Sequence, residues 1–160
     1  MSGVEIRAAR AGEETLVLDL LRELAVYEKI EHKFHLTREL IARDFIGDDP
    51  VCGCDLLFSD GKPAGVMTWY RTYASFAASR GIFLEDIFVR PDFRGKGFGK
   101  AFFAHLAKRA AKEGAAHIQW LVLDWNAPSI AFYEGLGARH DKEWLRYNLN
   151  GDALARLAGV

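Results

Sequence analysis

The segment 84–100, which reads LEDIFVRPDFRGKGFGK, constrains the fold more than any other part of the chain. An apolar run typical of a buried strand carries two adjacent acids, Glu85 and Asp86, and ends at Pro91. A glycine-rich loop follows, and an amphipathic helix begins directly after it. The first N–H groups of a helix have no partner within it, and the helix dipole is positive there, so such a loop attracts anions. The segment therefore predicts a strand–loop–helix unit that binds a phosphate group.

The rest of the chain predicts a mixed α/β (α+β) fold. Strand patterns cover 4–8, 52–58, 64–73, 81–90, 117–123 and 144–149, and helical patterns cover 13–30, 37–45, 98–113, 126–134 and 152–157. The sequence Asp60-Gly61-Lys62 is a hairpin signal between two of the strands. The strand at 82–90, the helix at 98–113 and the strand at 117–123 form a right-handed βαβ unit, whose two strands run parallel. We therefore expect a mixed, mostly antiparallel sheet flanked by helices, with this parallel unit at residues 82–123.

Composition indicates one ordinary globular domain that spans residues 1–160. Half of the 160 residues are hydrophobic, and the net charge of −1 gives no sign of a surface for nucleic acid. No apolar run is long enough to span a bilayer, and the first residues contain no apolar signal core. We therefore expect a cytoplasmic protein with no nucleic-acid or membrane partner. Cys52 and Cys54 are interpreted as buried reduced thiols, and no metal site is predicted.

The glycine loop by itself is compatible with several kinds of phosphate site. A Walker-type loop requires a glycine where Arg94 stands and a hydroxyl residue where Ala101 stands. A dinucleotide-binding loop requires an acid roughly 20 residues further on, and the corresponding region, 115–119, contains none. Both signatures therefore fail on specific residues, while a plain turn without a ligand stays open on the glycines alone.

The residues around the loop resemble one family in particular. The sequence RGKGFG at 94–99 resembles the Arg/Gln-x-x-Gly-x-Gly/Ala signature of the GNAT superfamily of N-acetyltransferases, and LDWNAPSIAFYEGLGA at 123–138 is similar to the second half of that family. Further matching pieces stand at 27–28, 84–86 and 143–144. They resemble the diamine (spermidine/spermine) and thialysine acetyltransferases.

This resemblance implies a GNAT fold with about six to seven strands. It also implies acetyl-CoA as the co-substrate, a homodimer, and direct acetyl transfer to a primary amine of a small molecule. The amine would be a diamine, a polyamine or a lysine-like compound. Acetylation of a protein lysine or an aminoglycoside-type amine, and a non-catalytic acyl-CoA sensor, are the alternatives.

The resemblance also implies where acetyl-CoA binds. The backbone of Ile87, Phe88 and Val89 would pair with the pantetheine arm as an added strand does. The pyrophosphate would lie in the loop, which consists of Arg94, Gly95, Lys96, Gly97, Phe98, Gly99 and Lys100. Asn126 and Ser129 are expected near the cofactor, although both residues also suit the capping of a helix.

Acetyl transfer requires that the amine lose a proton, because an alkylammonium with a pKa near ~10.4 is not a nucleophile. The CoA thiolate in turn leaves more readily when an acid protonates it. The resemblance implies that Tyr133 is this acid and that Glu85 faces the amine and receives its proton through water. Without the resemblance, Tyr133 could be an ordinary packed tyrosine and Glu85 an ion-paired acid. Asp86 points to the opposite face of the strand and is expected to be structural.

A cationic amine requires acids and aromatic rings around it. The candidate substrate residues are Tyr27, Glu28, Glu85, Trp120, Trp125 and Glu143. An exposed helix end is the alternative for Tyr27 and Glu28, and core burial is the alternative for Trp120. The aromatic segment 144–149 suits a dimer interface or the ordinary packing of a last strand.

Overall fold

The computed structural model describes residues 3–159, which form two compact units. The first unit ends at Leu123 and contains β1 (Val4–Ala8), α1 (Glu14–Tyr27), α2 (Arg38–Ile41), β2 (Gly53–Ser59), β3 (Lys62–Ala74), β4 (Ser79–Val89), α3 (Phe98–Glu113) and β5 (Ala115–Gln119). The second unit begins at Asp124 and contains α4 (Ala127–Gly135) and α5 (Gly151–Ala158). A π-helical turn, Ala42–Ile46, extends α2, and short 3₁₀ turns lie at Glu31–Lys33 and Pro91–Phe93.

The sheet has the order β1-β2-β3-β4-β5. All neighbours are antiparallel except β4 and β5, which run parallel on either side of α3. The predicted mixed sheet and its parallel βαβ unit are therefore confirmed. The hairpin signal is confirmed as well, because Ser59 pairs with Lys62 across a two-residue turn. Both turn residues have positive φ, 49° at Asp60 and 75° at Gly61, as a tight hairpin requires.

The prediction of about six to seven strands was too high, since the sheet has five strands within residues 3–159. The predicted strand at 144–149 is wrong: that segment is irregular, with Trp144 77% and Tyr147 88% exposed. The strand predicted at 117–123 is also shorter, because β5 ends at Gln119. A β-strand requires a hydrogen-bonded neighbour, and an apolar pattern in the sequence does not reveal whether one is present.

The two faces of the sheet are covered by different helices. One core cluster joins α1 to β2, β3 and β4, and its members are Val17, Leu20, Leu21, Leu24, Ile41, Cys54, Leu56, Val66 and Phe88. The other joins α3 to the opposite face, and its members are Leu57, Ala64, Met67, Trp69, Ile82, Leu84, Phe98, Phe102, Leu106 and Ala110. Alternate residues of each strand thus enter different cores, as the two-residue period of a strand dictates.

Polar contacts fix both helices against the sheet. Asp55, which is 1% exposed, accepts a hydrogen bond of 2.8 Å from the Trp69 indole N–H. The Arg109 guanidinium of α3 lies 4.4 Å from the Trp69 ring centroid and 3.5 Å from an oxygen of Asp55. On the other face, Arg90 after β4 pairs with Glu23 of α1 at 2.7 Å. These contacts join the C-terminal part of α1 to the residue after β4, and join α3 to β2 and β3.

Candidate active site

The glycine loop leads directly into the N-terminus of α3. Gly95 and Gly97 have φ of 73° and 80°, a region that side-chain-bearing residues rarely adopt. A Cβ built on either glycine would meet no atom within 4 Å, so the loop requires glycine for its backbone conformation and not for space. The Ala101 N–H donates to the Gly97 carbonyl at 3.0 Å. The amides before Ala101 are the first of the helix, and such amides have no carbonyl partner within the helix itself. This arrangement suits an anion.

The side chains of the loop lie in different surroundings. Phe98 is buried in the α3 core, so only its backbone can contribute to an anion site. Lys96 Nζ donates to the Asp92 carbonyl at 3.1 Å and lies 5.2 Å from the Phe93 ring centroid. Lys100 is exposed on the first turn of α3. The loop therefore presents backbone amides together with two solvent-accessible lysines.

Arg94 connects the loop to α1 and to β4. Its Nε donates to the Val89 carbonyl at 2.9 Å. Its guanidinium carbon lies 4.8 Å from the Tyr27 ring centroid and 5.8 Å from the Phe88 ring centroid. The structure thus brings a predicted substrate residue, Tyr27, beside the predicted cofactor residues Phe88, Val89 and Arg94.

Strand β4 extends beyond its pairing with β5. The two strands pair from Arg80 to Phe83, whereas β4 continues to Val89 on the β3 side. Within residues 3–159, no strand pairs with this edge of β4 after Phe83. The edge includes the predicted pantetheine residues 87–89, and an extended ligand can bind such an edge as an added strand.

The two adjacent acids of β4 lie at a β-bulge. Thr68 pairs with Asp86 and Trp69 pairs with Leu84, which leaves Glu85 as the extra residue. Glu85 is exposed, whereas Asp86 is partly buried and accepts a 2.6 Å hydrogen bond from the Thr68 hydroxyl. Burial raises the pKa of the Asp86 carboxyl, and the Thr68 hydrogen bond opposes this shift in part.

Glu28 lies directly after α1, on the side of the sheet where Asp86 is found. It is partly buried. Burial raises the pKa of Glu28, and the nearby charge of Asp86 raises it further. Tyr27 and Glu28 are therefore partly buried instead of forming an exposed helix end, and the acid whose charge acts on Glu28 is Asp86. Sequence reasoning missed this grouping, because a β-bulge leaves no recognisable signal in the residues that form it.

Neither cysteine behaves as a nucleophile. Cys52 is half-buried and its thiol donates to the Trp69 carbonyl at 3.4 Å, while Cys54 is buried, and both are free. Burial raises the pKa of Cys52 to about 11 and raises that of Cys54 as well, so both thiols stay protonated at neutral pH. In residues 3–159 no group of three His, Cys, Asp or Glu side chains is placed to hold a metal ion. No described helix has the length and apolar character that crossing a membrane requires.

In the second unit, α4 carries the predicted tyrosine. The Asn126 side chain accepts a hydrogen bond from the Ser129 N–H at 3.4 Å, which confirms that Asn126 caps the helix, whereas Ser129 contributes only its backbone N–H. Tyr133 lies in the last part of α4, with its ring centroid 5.5 Å from that of Phe132.

The remaining predicted substrate residues are spread over both units. Trp120, directly after β5, packs edge-on against Phe103 of α3 with the ring centroids 5.1 Å apart, at the margin of the α3 core. Trp125, in the second unit, is 47% exposed. Glu143 is exposed, and its backbone N–H donates to an Asp141 carboxylate oxygen at 3.2 Å. For Trp120, the contact with Phe103 agrees with core burial, which was the alternative to a substrate-binding role.

The sequence matches a family described as the acetyltransferase (GNAT) family over residues 16–138. The chain belongs to the GNAT family. Its class as an N-acetyltransferase, which the loop at 94–99 and the segment 123–138 predicted, is thereby confirmed.

Known proteins resemble this GNAT acetyltransferase over a large part or nearly all of its sequence. A thialysine N-epsilon-acetyltransferase of Sus scrofa is 35% identical, and the match covers 99% of each chain. An L-ornithine N5-acetyltransferase of Arabidopsis thaliana is 46% identical over 99 residues, which are 62% of this chain and 43% of the relative. An integron cassette protein of V. cholerae has the same fold, with a TM-score of 0.84, 21% identity and complete coverage of both chains.

Proposed function

We propose that the protein transfers the acetyl group of acetyl-CoA directly to a primary amine of a small molecule, either a diamine or polyamine or a lysine-like amine. One observation carries this proposal: β4 continues after its pairing with β5 ends at Phe83, and within residues 3–159 this stretch, which has no strand on that side, leads into the glycine loop at the start of α3. An edge for an extended arm and an anion site at its end match a donor with a pantetheine arm and a pyrophosphate.

The donor would be held mainly by backbone groups. Residues 87–89 offer N–H and C=O groups to the pantetheine, and the amides of residues 95–100 face the pyrophosphate. Arg94 supplies a positive charge beside them, which strengthens hydrogen bonds to phosphate oxygens. Asn126 and Ser129, which cap α4, are proposed to contact the cofactor through the N-terminus of that helix.

The amine side would use the acids and rings predicted from the sequence. We assign Tyr27, Glu28, Trp120, Trp125 and Glu143 to the amine site. The activities for which these two relatives are named support a lysine-like acceptor, because thialysine and ornithine both carry a primary amine at the end of an amino-acid side chain.

In the proposed reaction, the amine nitrogen attacks the thioester carbonyl carbon, so that a C–N bond forms and the C–S bond breaks. Glu85 receives the proton of the ammonium through water, and this makes the nitrogen nucleophilic. As the amide forms, the nitrogen loses a second proton to solvent, while the Tyr133 hydroxyl gives its proton to the departing sulfur and recovers one from solvent. The products are the N-acetylated amine and CoA with a free thiol.

A thiol-release assay with acetyl-CoA tests this function. The amine panel contains thialysine, lysine, ornithine, putrescine, spermidine, a lysine-containing peptide and an aminoglycoside. We expect saturable thiol release with at least one small diamine or lysine-like amine, together with an acetylated product in the mass spectrum. Release only with the peptide or the aminoglycoside would reassign the acceptor. Binding of acetyl-CoA without release for any amine would instead indicate a sensor.

We further propose that both units form one catalytic domain, since the family match continues across their boundary from residue 16 to residue 138. The protein is proposed to act in the cytoplasm, which cell fractionation tests. It is also proposed to be a homodimer, in which the exposed Trp144, Tyr147 and Leu149 contribute to the interface. Light scattering after gel filtration tests this, and a monomer at micromolar concentration would contradict it.

A further inference from the structure

Arg94, the first residue of the glycine loop, is held at the edge of β4 by a hydrogen bond. The Arg90 N–H donates to the Ala64 carbonyl at the start of β3, at 2.9 Å. Because successive residues of a strand direct their backbone groups to opposite sides, the Val89 carbonyl points to the other edge of β4, which no strand within residues 3–159 occupies. Arg94 Nε donates to that carbonyl at 2.9 Å. The Arg94 side chain therefore lies along the edge that is proposed to hold the donor.

Two aromatic rings lie beside the Arg94 guanidinium. Its central carbon is 4.8 Å from the Tyr27 ring centroid and 5.8 Å from the Phe88 ring centroid. Phe88 is buried in the α1 core, and Tyr27 is a partly buried residue that packs against the same core cluster. A guanidinium at this distance is attracted by the negative face of a ring. The rings thus restrict where the long Arg94 side chain can point.

The end of α1 that carries Tyr27 is itself fixed to the sheet. Glu23 forms an ion pair of 2.7 Å with Arg90, and Arg90 also donates to the Pro63 carbonyl at 3.0 Å. Tyr27 is the last residue of α1, four residues after Glu23. Residues four apart on a helix are neighbours on one face, so Glu23 meets Arg90 and Tyr27 meets Arg94 from the same side of α1. The Tyr27 ring is therefore a rigid support for a flexible cation.

The charge of Arg94 is not neutralised by an acid. Within residues 3–159, Arg94 forms no ion pair with Asp or Glu, and its side chain is exposed. A guanidinium has five N–H donors, and the Val89 carbonyl takes the one at Nε. The donors of the two Nη atoms can bind phosphate oxygens in a bidentate manner. Arg94 thus carries an oriented positive charge at the start of the anion loop.

We propose that Tyr27 is a positioning residue for the donor, because its ring holds the Arg94 guanidinium in the orientation that binds a pyrophosphate oxygen. This inference rests on the proposed function and changes one assignment within it: Tyr27 acts on acetyl-CoA through Arg94 and not on the amine. The ring face that meets Arg94 is not available to a substrate ammonium. Holding the Arg94 side chain in place also lowers the entropy that is lost when the donor binds.

Calorimetric titration of the full-length protein with CoA tests this role. Tyr27→Leu removes the ring and keeps an apolar side chain, and we expect CoA binding to weaken about 2- to 5-fold. Tyr27→Phe keeps the ring, so it is expected to recover most of this loss. Arg94→Gln removes the charge itself and should weaken CoA binding at least about 10-fold.

Phe34→Leu is the matched control. Phe34 is another partly buried ring that packs against the α1 core, and its centroid lies 5.5 Å from the guanidinium carbon of Arg22 on α1. The substitution removes the same kind of contact between a ring and a cation, so we expect Tm to fall as it does for Tyr27→Leu. CoA binding should stay at the wild-type level. A weakening of CoA binding equal to that of Tyr27→Leu would contradict the positioning role, because lost packing would then explain both.

A double-mutant cycle measures whether Tyr27 acts through Arg94. In the Arg94→Gln background, Tyr27→Leu should have no further effect on the Kd for CoA, because the cation that the ring positions is gone. Additive effects of the two substitutions would overturn the inference. Titration of the CoA-saturated protein with thialysine gives a second readout, in which Tyr27→Leu should match the wild type. Weaker thialysine binding at unchanged CoA affinity would return Tyr27 to the amine site.

The outcomes separate this inference from the proposed function. Coupling between Tyr27 and Arg94, in a protein that binds CoA but releases no thiol, would support the positioning role and remove the catalytic function. CoA binding that is insensitive to Tyr27→Leu would overturn the positioning role, even if the wild type releases thiol with the amine panel. Failure of the wild type to bind CoA would overturn both.

Discussion

Substitution of Gly97 by alanine isolates the contribution of the loop conformation to donor binding. Gly97 has φ of 80°, and a Cβ at this position meets no atom within 4 Å. The substitution therefore introduces backbone strain without a clash. Alanine in a left-handed conformation costs roughly 1–2 kcal/mol of conformational free energy. Alanine also lowers the conformational entropy of the unfolded chain, and this effect stabilises the folded state by about 0.4–1 kcal/mol. We expect a net loss of stability on the order of 1 kcal/mol, which lowers Tm by about 2–4 °C.

The loop can relieve this strain by turning its backbone away from the left-handed region. The amides at the start of α3 would then no longer converge on the pyrophosphate. Each hydrogen bond to a charged group contributes about 1.5–3 kcal/mol. Loss of one such bond corresponds to at least a roughly tenfold rise in the KM for acetyl-CoA. Steady-state kinetics with varied acetyl-CoA measures the effect, and the KM for the amine is expected to change little.

Gly61 provides the matched control for this substitution. It has φ of 75° in the β2–β3 hairpin, and its surroundings are equally open. Gly61→Ala should therefore reduce stability to a similar extent while leaving the KM for acetyl-CoA unchanged. If Gly97→Ala loses stability but keeps a KM within about twofold of the wild type, less than the loss of one hydrogen bond predicts, the loop is not the pyrophosphate site.

Three further substitutions test other parts of the structure. Tyr133→Phe should lower kcat far more than it changes acetyl-CoA affinity in steady-state assays, and an unchanged kcat would exclude Tyr133 as the acid. Trp69→Phe removes the 2.8 Å donor to buried Asp55 and should destabilise the protein by about 1.5–3 kcal/mol in urea unfolding, whereas the same change at Trp144, 77% exposed, should have little effect. Because burial raises the pKa of the Asp86 carboxyl above its value in the unfolded chain, its contribution to the free energy of unfolding should be present at low pH and fall as pH rises through that range, which urea unfolding at a series of pH values measures. Asp86→Asn should remove this pH dependence, and a persistent slope would assign it to another group.

Much of the fold could be predicted because it depends on local patterns. The glycine loop, the hairpin at Asp60 and Gly61, the parallel βαβ unit and the capping of α4 by Asn126 each follow from residues that are close together in sequence. The segment 144–149 shows the limit of such reasoning. Its apolar pattern suits a strand, but strand formation depends on a partner elsewhere in the chain.

The sequence by itself determined the family, the class of reaction and the position of the glycine loop, because these depend on contiguous motifs and on local backbone conformation. Only the tertiary structure decided how the acids of β4 are surrounded. Glu85 and Asp86 are adjacent and chemically similar, yet the bulge leaves Glu85 exposed and places Asp86 beside Thr68 in a partly buried position. The physical reason is that burial and strand register depend on residues from α1, β3 and β4 that are distant in sequence, and a single inserted residue changes which side chains share a face.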